Sequence, residues 1–155
     1  MNRFKRLVEL RRIREESKGL DVARLLGRLD GMRLELFQLD QQTVEEQNLA
    51  RQAVSHAMDD ASTPRLAMRL MDDFLRGQAW RRQHLEQRMA AAQQDLEQAK
   101  AAWITARTQL KQAEKLEERE KLHQCQQAEL REKKMLDMIG VLRKETAFGQ
   151  EGDVG

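Results

Sequence analysis

The chain has 155 residues, of which 35% are charged and 4% are aromatic, and it contains one proline. Many charged residues with few bulky ones are typical of long solvated helices rather than of a domain with a thick core. The net charge of +2 argues against a basic nucleic-acid-binding face, no apolar run reaches the roughly 18 residues of a membrane span, and the lone Cys125 excludes an internal disulfide and favours a reducing cytoplasm.

A first helix is predicted from about residue 2 to 59. Its apolar residues recur at alternating intervals of three and four, the pattern of a helix packed against another helix. They are Val22, Leu25, Leu29, Met32, Leu36 and Leu39. Because glycine costs about 1 kcal/mol relative to alanine inside a helix, the glycines of this segment should soften it, and we expect an irregularity at Ser17-Lys18-Gly19.

The strongest interruption of the pattern is the run Ser62-Thr63-Pro64. Either hydroxyl residue can cap a new helix, and proline suits a first helical position because it has no backbone N–H to pair. We therefore predict a turn at about residues 60–63 and a second helix from about 64 to 146. A turn this short makes the two helices antiparallel neighbours. The tail from 149 to 155 has no pattern and is predicted to be disordered.

The second helix carries the clearest pattern in the chain. An apolar residue recurs every three and four residues for four heptads, with large residues in one column and mostly alanines in the other. These positions are Leu85, Met89, Ala92, Leu96, Ala99, Trp103, Ala106, Leu110 and Ala113. A fold-back at the predicted turn brings Leu29 level with Leu96 and Leu36 level with Met89, so the two patterned halves face each other.

The predicted fold class is therefore all-α: a single antiparallel coiled-coil hairpin over residues 1–148, with a second helix longer than the first. The end of the second helix should project beyond the first and carries an apolar cluster, which usually indicates a partner. The members of this cluster are Met135, Leu136, Met138, Ile139, Val141 and Leu142. The alternatives are a generic scaffold or adaptor that forms a parallel homodimer, and nucleic-acid binding through the basic N-terminal segment, which the interspersed glutamates disfavour.

The sequence offers no catalytic or metal-binding constellation. His56, His84 and His123 are not paired four residues apart on a helix face, so surface or core roles are the better interpretation. There is no glycine-rich phosphate loop and no activated nucleophile, and a hairpin has no cavity that would shift a pKa. We therefore predict a non-enzymatic protein without cofactor or metal. Trp80, near the turn, suits local contacts and a partner surface equally well.

Three stretches carry a further pattern. They are Asp21-Val22-Ala23-Arg24-Leu25-Leu26-Gly27 in the first helix, the spacing of Trp103, Leu110, Leu116 and Arg119 in the second, and Glu132-Lys133-Lys134-Met135-Leu136-Asp137 near its end. Together they resemble the FliJ/YscO family, small coiled-coil stalk proteins of flagellar and virulence type III secretion, and the flagellar branch most of all. The resemblance covers most of the chain. Met138 and Ile139 depart from it, because the family has an acidic residue and then an aromatic one in this region.

The resemblance implies a cytoplasmic, non-enzymatic export component, peripherally associated with the inner membrane. Such a protein resembles the central stalk of a rotary ATP synthase: it binds and stimulates a hexameric export ATPase, links it to an export-gate membrane protein and handles export chaperones. The ATPase-binding residues that it implies are Arg11, Arg12, Arg14, Lys133, Lys134 and Asp137. The export-gate-binding residues are Leu70, Phe74 and His84. Closure of the hairpin is expected to bring the arginines and the two lysines together.

Overall fold

The computed structural model describes residues 3–56 and 62–151 of the chain. Both ranges are helical: α1 spans Arg3–His56 and α2 spans Ser62–Glu151. No strand occurs within them. The predicted all-α fold with a longer second helix is thereby confirmed, while the predicted turn lies partly outside the described residues.

The two helices pack against each other in antiparallel orientation. Glu15, early in α1, contacts Trp103 of α2, whereas Asp40, later in α1, contacts Arg82, which comes earlier in α2. The two helices therefore run in opposite directions. Because these contacts occur within one chain, they confirm the predicted antiparallel hairpin.

The helix pair divides into two compact units, one of which comprises residues 15–105. Its centre, which we name the core cluster, consists of Val22, Leu29, Met32, Leu85, Ala92 and Leu96, each at most 7% exposed. The large members stabilise the fold by roughly 1.5–3 kcal/mol each through burial of apolar surface. Ala92 lets α1 approach α2 closely at the centre of the cluster.

The other unit comprises the described residues among 1–14 and 106–155. Val8 of α1 and Ala106 and Ala113 of α2 are buried in it. From Lys121 to Gln150 every residue is exposed, so this part of α2 has no cover from α1. The exposure of this part agrees with the prediction that the end of the second helix projects beyond the first.

The helix α1 continues through Ser17-Lys18-Gly19 without the irregularity that the sequence predicted. Gly19 has a contact role instead, because a Cβ built on it would lie 3.3 Å from Nε1 of Trp103. The same nitrogen donates a 2.9 Å hydrogen bond to Oε1 of Glu15. Glycine therefore leaves room for the indole ring beside α1, and the contacts of the ring offset the cost of glycine in the helix.

The helix α2 begins at Ser62 and ends at Glu151, against predicted bounds of about 64 and 146. No proline follows residue 146 to stop the helix, and Gly149 costs it only about 1 kcal/mol. Residues 149–151 are therefore helical, although the sequence suggested a disordered tail. The remainder of that predicted tail lies outside the described residues.

Candidate functional site

Every residue predicted to form the coiled-coil seam is buried or half-buried between the helices. They are Val22, Leu25, Leu29, Met32, Leu36, Leu39, Leu85, Met89, Leu96, Trp103 and Leu110. These side chains are occupied by the contact between α1 and α2. Surfaces that remain available to partners must therefore lie elsewhere on the two helices.

A polar layer interrupts the seam beside the core cluster. Arg82 donates hydrogen bonds to the carboxylates of Glu86, one turn along α2, and Asp40 on α1. The bond to Glu86, followed by that to Asp40, raises the pKa of Arg82 above its ordinary value. One turn before Arg82, the side chain of Gln78 is buried, and neither its Nε2 nor its Oε1 atom has a hydrogen-bond partner among the described residues.

This layer was not recognised from the sequence. Its signal is the continuation of the two heptad columns of α2 towards the turn. Seven residues before Leu85 stands Gln78, and seven before Met89 stands Arg82, so a polar residue occupies each place where the pattern requires an apolar one.

The residues that the resemblance assigns to export-gate binding differ in their exposure to solvent. Leu70 and His84 are exposed, whereas Phe74 is half-buried. Trp80, which the sequence left undecided, is 66% exposed. Its ring stacks on that of His84, with the centroids 5.5 Å apart and the planes 1° from parallel.

Leu66, Leu70, Gly77, Trp80 and His84 follow the helical repeat and therefore share one face of α2. All of these residues are exposed. Gly77 has no atom within 4 Å of a Cβ built on it, so a partner could approach the backbone closely there. We name this set the outer face of α2; it combines apolar side chains with one stacked aromatic pair.

A shallow groove lies between the helices on the side of the polar layer that is nearer to the start of α2. Its apolar lining residues are Ala50, Val54, Ala67, Met68, Met71 and Leu75. Gln47, Arg51, Ser55 and Asp72 line it as well. Two side chains of the groove, Met71 and Leu75, belong to the seam columns of α2, but α1 covers them only partly.

The basic residues at the other end of the helix pair do not come together as expected. Arg11 donates a 2.6 Å hydrogen bond to Gln109, and Arg12 forms a 3.6 Å ion pair with Glu114, while Arg14 is exposed. On α2, Lys133 lies nineteen residues beyond Glu114, or about 28 Å along a helix at 1.5 Å per residue. The expectation that the arginines and the lysines meet was wrong, because α2 continues far past α1.

Lys133, Lys134 and Asp137 are all exposed on this uncovered part of α2. The apolar cluster that follows them is exposed too, from 42% at Ile139 to 64% at Met135. At 100° per residue, its six side chains spread over roughly 220° of the helix circumference. A single neighbouring helix would cover about half of such a surface, so the cluster suits a partner that surrounds α2 on several sides.

The described residues contain no group of three or more histidines, cysteines, aspartates or glutamates that could hold a metal ion. Cys125 is exposed. Neither described helix is long and apolar enough to cross a membrane.

Comparison with known proteins agrees with the resemblance. The family model described as "Flagellar FliJ protein" matches residues 1–143. No curated protein and no solved structure matches the chain.

Proposed function

We propose, from the premise that the chain belongs to the FliJ family of flagellar proteins, that it acts as a central stalk of the export machinery. FliJ proteins are structural components of the flagellar protein export apparatus. The finer proposal has three parts. The chain binds and stimulates the hexameric export ATPase, it links that ATPase to the export gate, and it handles export chaperones. Its proposed location is the cytoplasmic side of the inner membrane, by peripheral association.

The observation that carries this proposal is the uncovered part of α2 from Lys121 to Gln150. An exposed helix with apolar side chains on more than half of its circumference suits the pore of a ring, where protein surrounds it. Lys133, Lys134 and Asp137 would contact polar groups of the ring, together with Arg14 of α1. Arg11 and Arg12 already have partners on α2, so we give them a smaller part.

A stalk inside a six-fold ring meets the six subunits in different ways. It biases the ring between conformations only if its affinity for those conformations differs. Exposed charge contacts are individually weak and screened by salt. The apolar cluster therefore supplies most of the affinity in this proposal, and the charged residues orient the stalk in the ring.

The test is the double variant Lys133→Glu/Lys134→Glu. We expect it to remain helical with an unchanged melting temperature, because both lysines lie outside the α1–α2 contact, and to lose stimulation of the ATPase hexamer. Lys111→Glu/Lys115→Glu is the matched control, since it reverses two exposed charges of the same helix within its covered part. A folded test variant that stimulates the ATPase as well as the wild type would remove the basic pair from the mechanism.

For the export gate we propose the outer face of α2. Leu70 and His84 are among the residues that the resemblance implies, and the stack of Trp80 on His84 supports including the tryptophan. Phe74 is half-buried, so its truncation would disturb the helix contact as well as any binding.

Trp80→Ala should weaken binding to the cytoplasmic part of the gate protein at least tenfold, because an exposed aromatic anchor is a typical interface hot spot. The control is Phe148→Ala, which removes an exposed aromatic side chain at the other end of α2. Equal gate affinity of the two variants would remove Trp80 from the proposed gate surface.

A further inference from the structure

Gln78 stands in the wrong environment for an amide. It occupies the heptad column of α2 between Met71 and Leu85, and only 4% of it is exposed. Both polar atoms of its side chain lack a hydrogen-bond partner among the described residues. A buried amide that has lost its water and gained no partner disfavours the closed state that buries it.

Two polar groups near Gln78 have other partners. Arg82, one turn along α2, donates to Asp40 and Glu86. The contact of Arg82 with Asp40 places Gln78 at about the level of Thr43, and the Thr43 hydroxyl donates to the carbonyl of Leu39 at 2.9 Å. The closed pair of helices thus leaves the amide unpaired, and separation of the helices at this point would let water pair it.

The helix pair is more deeply buried on one side of Gln78 along α2 than on the other. Towards the C-terminus of α2 lies the core cluster, with Leu85 only 4% exposed. Towards the start of α2 lies what we name the tip segment, residues 44–56 and 65–77, and none of these residues is buried. Segments with few buried apolar side chains open locally at a lower free-energy cost than the core.

We propose that the tip segment opens as a local unit while the core cluster stays closed, and that Gln78 sets the boundary between them. In the open state the amide of Gln78 binds water, and Met71 and Leu75 lose their partial cover from α1. The tip segment thus opens by local unfolding while the centre of the hairpin stays folded. This device is independent of the partner proposals above, since it concerns the free chain.

Hydrogen exchange measured by mass spectrometry on the full chain tests the proposal. In the wild type, peptides from the tip segment should exchange at least tenfold faster than peptides from 22–36 and 85–96. Gln78→Leu, which replaces the unpaired amide by an apolar group, should slow exchange in the tip segment about tenfold relative to the core of the same variant. Gln78→Met, which is unbranched like glutamine, should act in the same direction.

The matched control is Gln94→Leu, the same substitution at an exposed position of α2. It should leave the ratio of tip to core exchange unchanged. Two results would overturn the proposal. One is equal exchange of tip and core in the wild type, which would mean a single cooperative unit. The other is an effect of both Gln78 substitutions no larger than that of Gln94→Leu.

Discussion

Two regions of α2 carry similar apolar residues in opposite environments. In the first, Leu85 and Leu96 are 4% and 2% exposed; in the second, Leu136 and Leu142 are 62% and 55% exposed. The difference is the presence of α1, which covers the first region and not the second. Burial makes the first set a source of stability. The second set contributes little to folding of the free chain and remains available to a partner.

The spacing of the apolar residues in each region matches the number of neighbours that the region can contact. In the covered region, apolar residues recur at three and four along one side, which matches one neighbouring helix. In the uncovered region they form adjacent pairs such as Met135-Leu136 and Val141-Leu142, which point to different sides of a helix. One region is therefore suited to a single helix, and the other to several contacts at once.

The largest expected effect comes from making the same substitution in the covered and in the uncovered region of α2. Leu96→Asp would bury an unpaired carboxylate in the core cluster and should lower the free energy of unfolding by at least about 4 kcal/mol. Leu136→Asp makes the same change at an exposed position and should leave the melting temperature within about 2 °C of the wild type. Circular dichroism at 222 nm during heating measures both variants.

A functional assay should show a large effect for the variant that hardly changes the melting temperature. The folded Leu136→Asp variant is expected to stimulate the ATPase hexamer poorly, because it places a charge in the proposed apolar contact. Similar melting temperatures for Leu96→Asp and Leu136→Asp would show that the difference in cover has no bearing on stability.

The fold was predictable from the sequence because its signals are local and repeated. The 3–4 spacing around Leu29 and Leu96, with Ser62-Thr63-Pro64 between them, is enough to specify two antiparallel helices. The point at which α2 loses its cover follows from the unequal helix lengths. The family followed from short motifs that the matched model supports.

The details of the surfaces were less accessible, for physical reasons. Helix propensity cannot reveal that Gly19 makes room for Trp103, because the two residues are distant in sequence and meet only after folding. The polar layer was missed because Gln78 and Arg82 look like solvated residues until the heptads are extended through them. The separation of Arg12 from Lys133, by contrast, follows from the predicted unequal helix lengths, and the expectation that the two groups meet did not take it into account.

An effect of intermediate size on the free energy of unfolding is expected from glycine substitutions at a covered and at an uncovered position of α1. Gly19→Leu would force a side chain against the Trp103 indole and should lower the free energy of unfolding by about 1–3 kcal/mol. Gly27→Leu adds the same atoms where no atom lies within 4 Å, and should raise it by up to about 1 kcal/mol through better helix propensity. Urea unfolding of both variants measures the two opposite changes in the free energy of unfolding. Destabilisation by Gly27→Leu would show that the surface of α1 at Gly27 also contacts other groups.

The smallest expected effect concerns the polar layer. Asp40→Asn removes one of the two carboxylates that accept from Arg82, but both side chains of this ion pair are more than 40% exposed and Glu86 remains as a partner. Exposed ion pairs contribute little because water and salt screen them, so the melting temperature should fall by no more than about 2 °C at low salt.

The dependence of that small difference on salt identifies its origin. Because the Debye length shrinks to about 3 Å at 1 M salt, the melting temperatures of Asp40→Asn and the wild type should converge there if the pair acts through charge. A difference that persists unchanged at 1 M, or that exceeds the effect of Gly19→Leu, would mean that Asp40 holds the helix pair together by geometry. The polar layer would then be a structural clamp, and the boundary that we assign to Gln78 would have to lie closer to the start of α2.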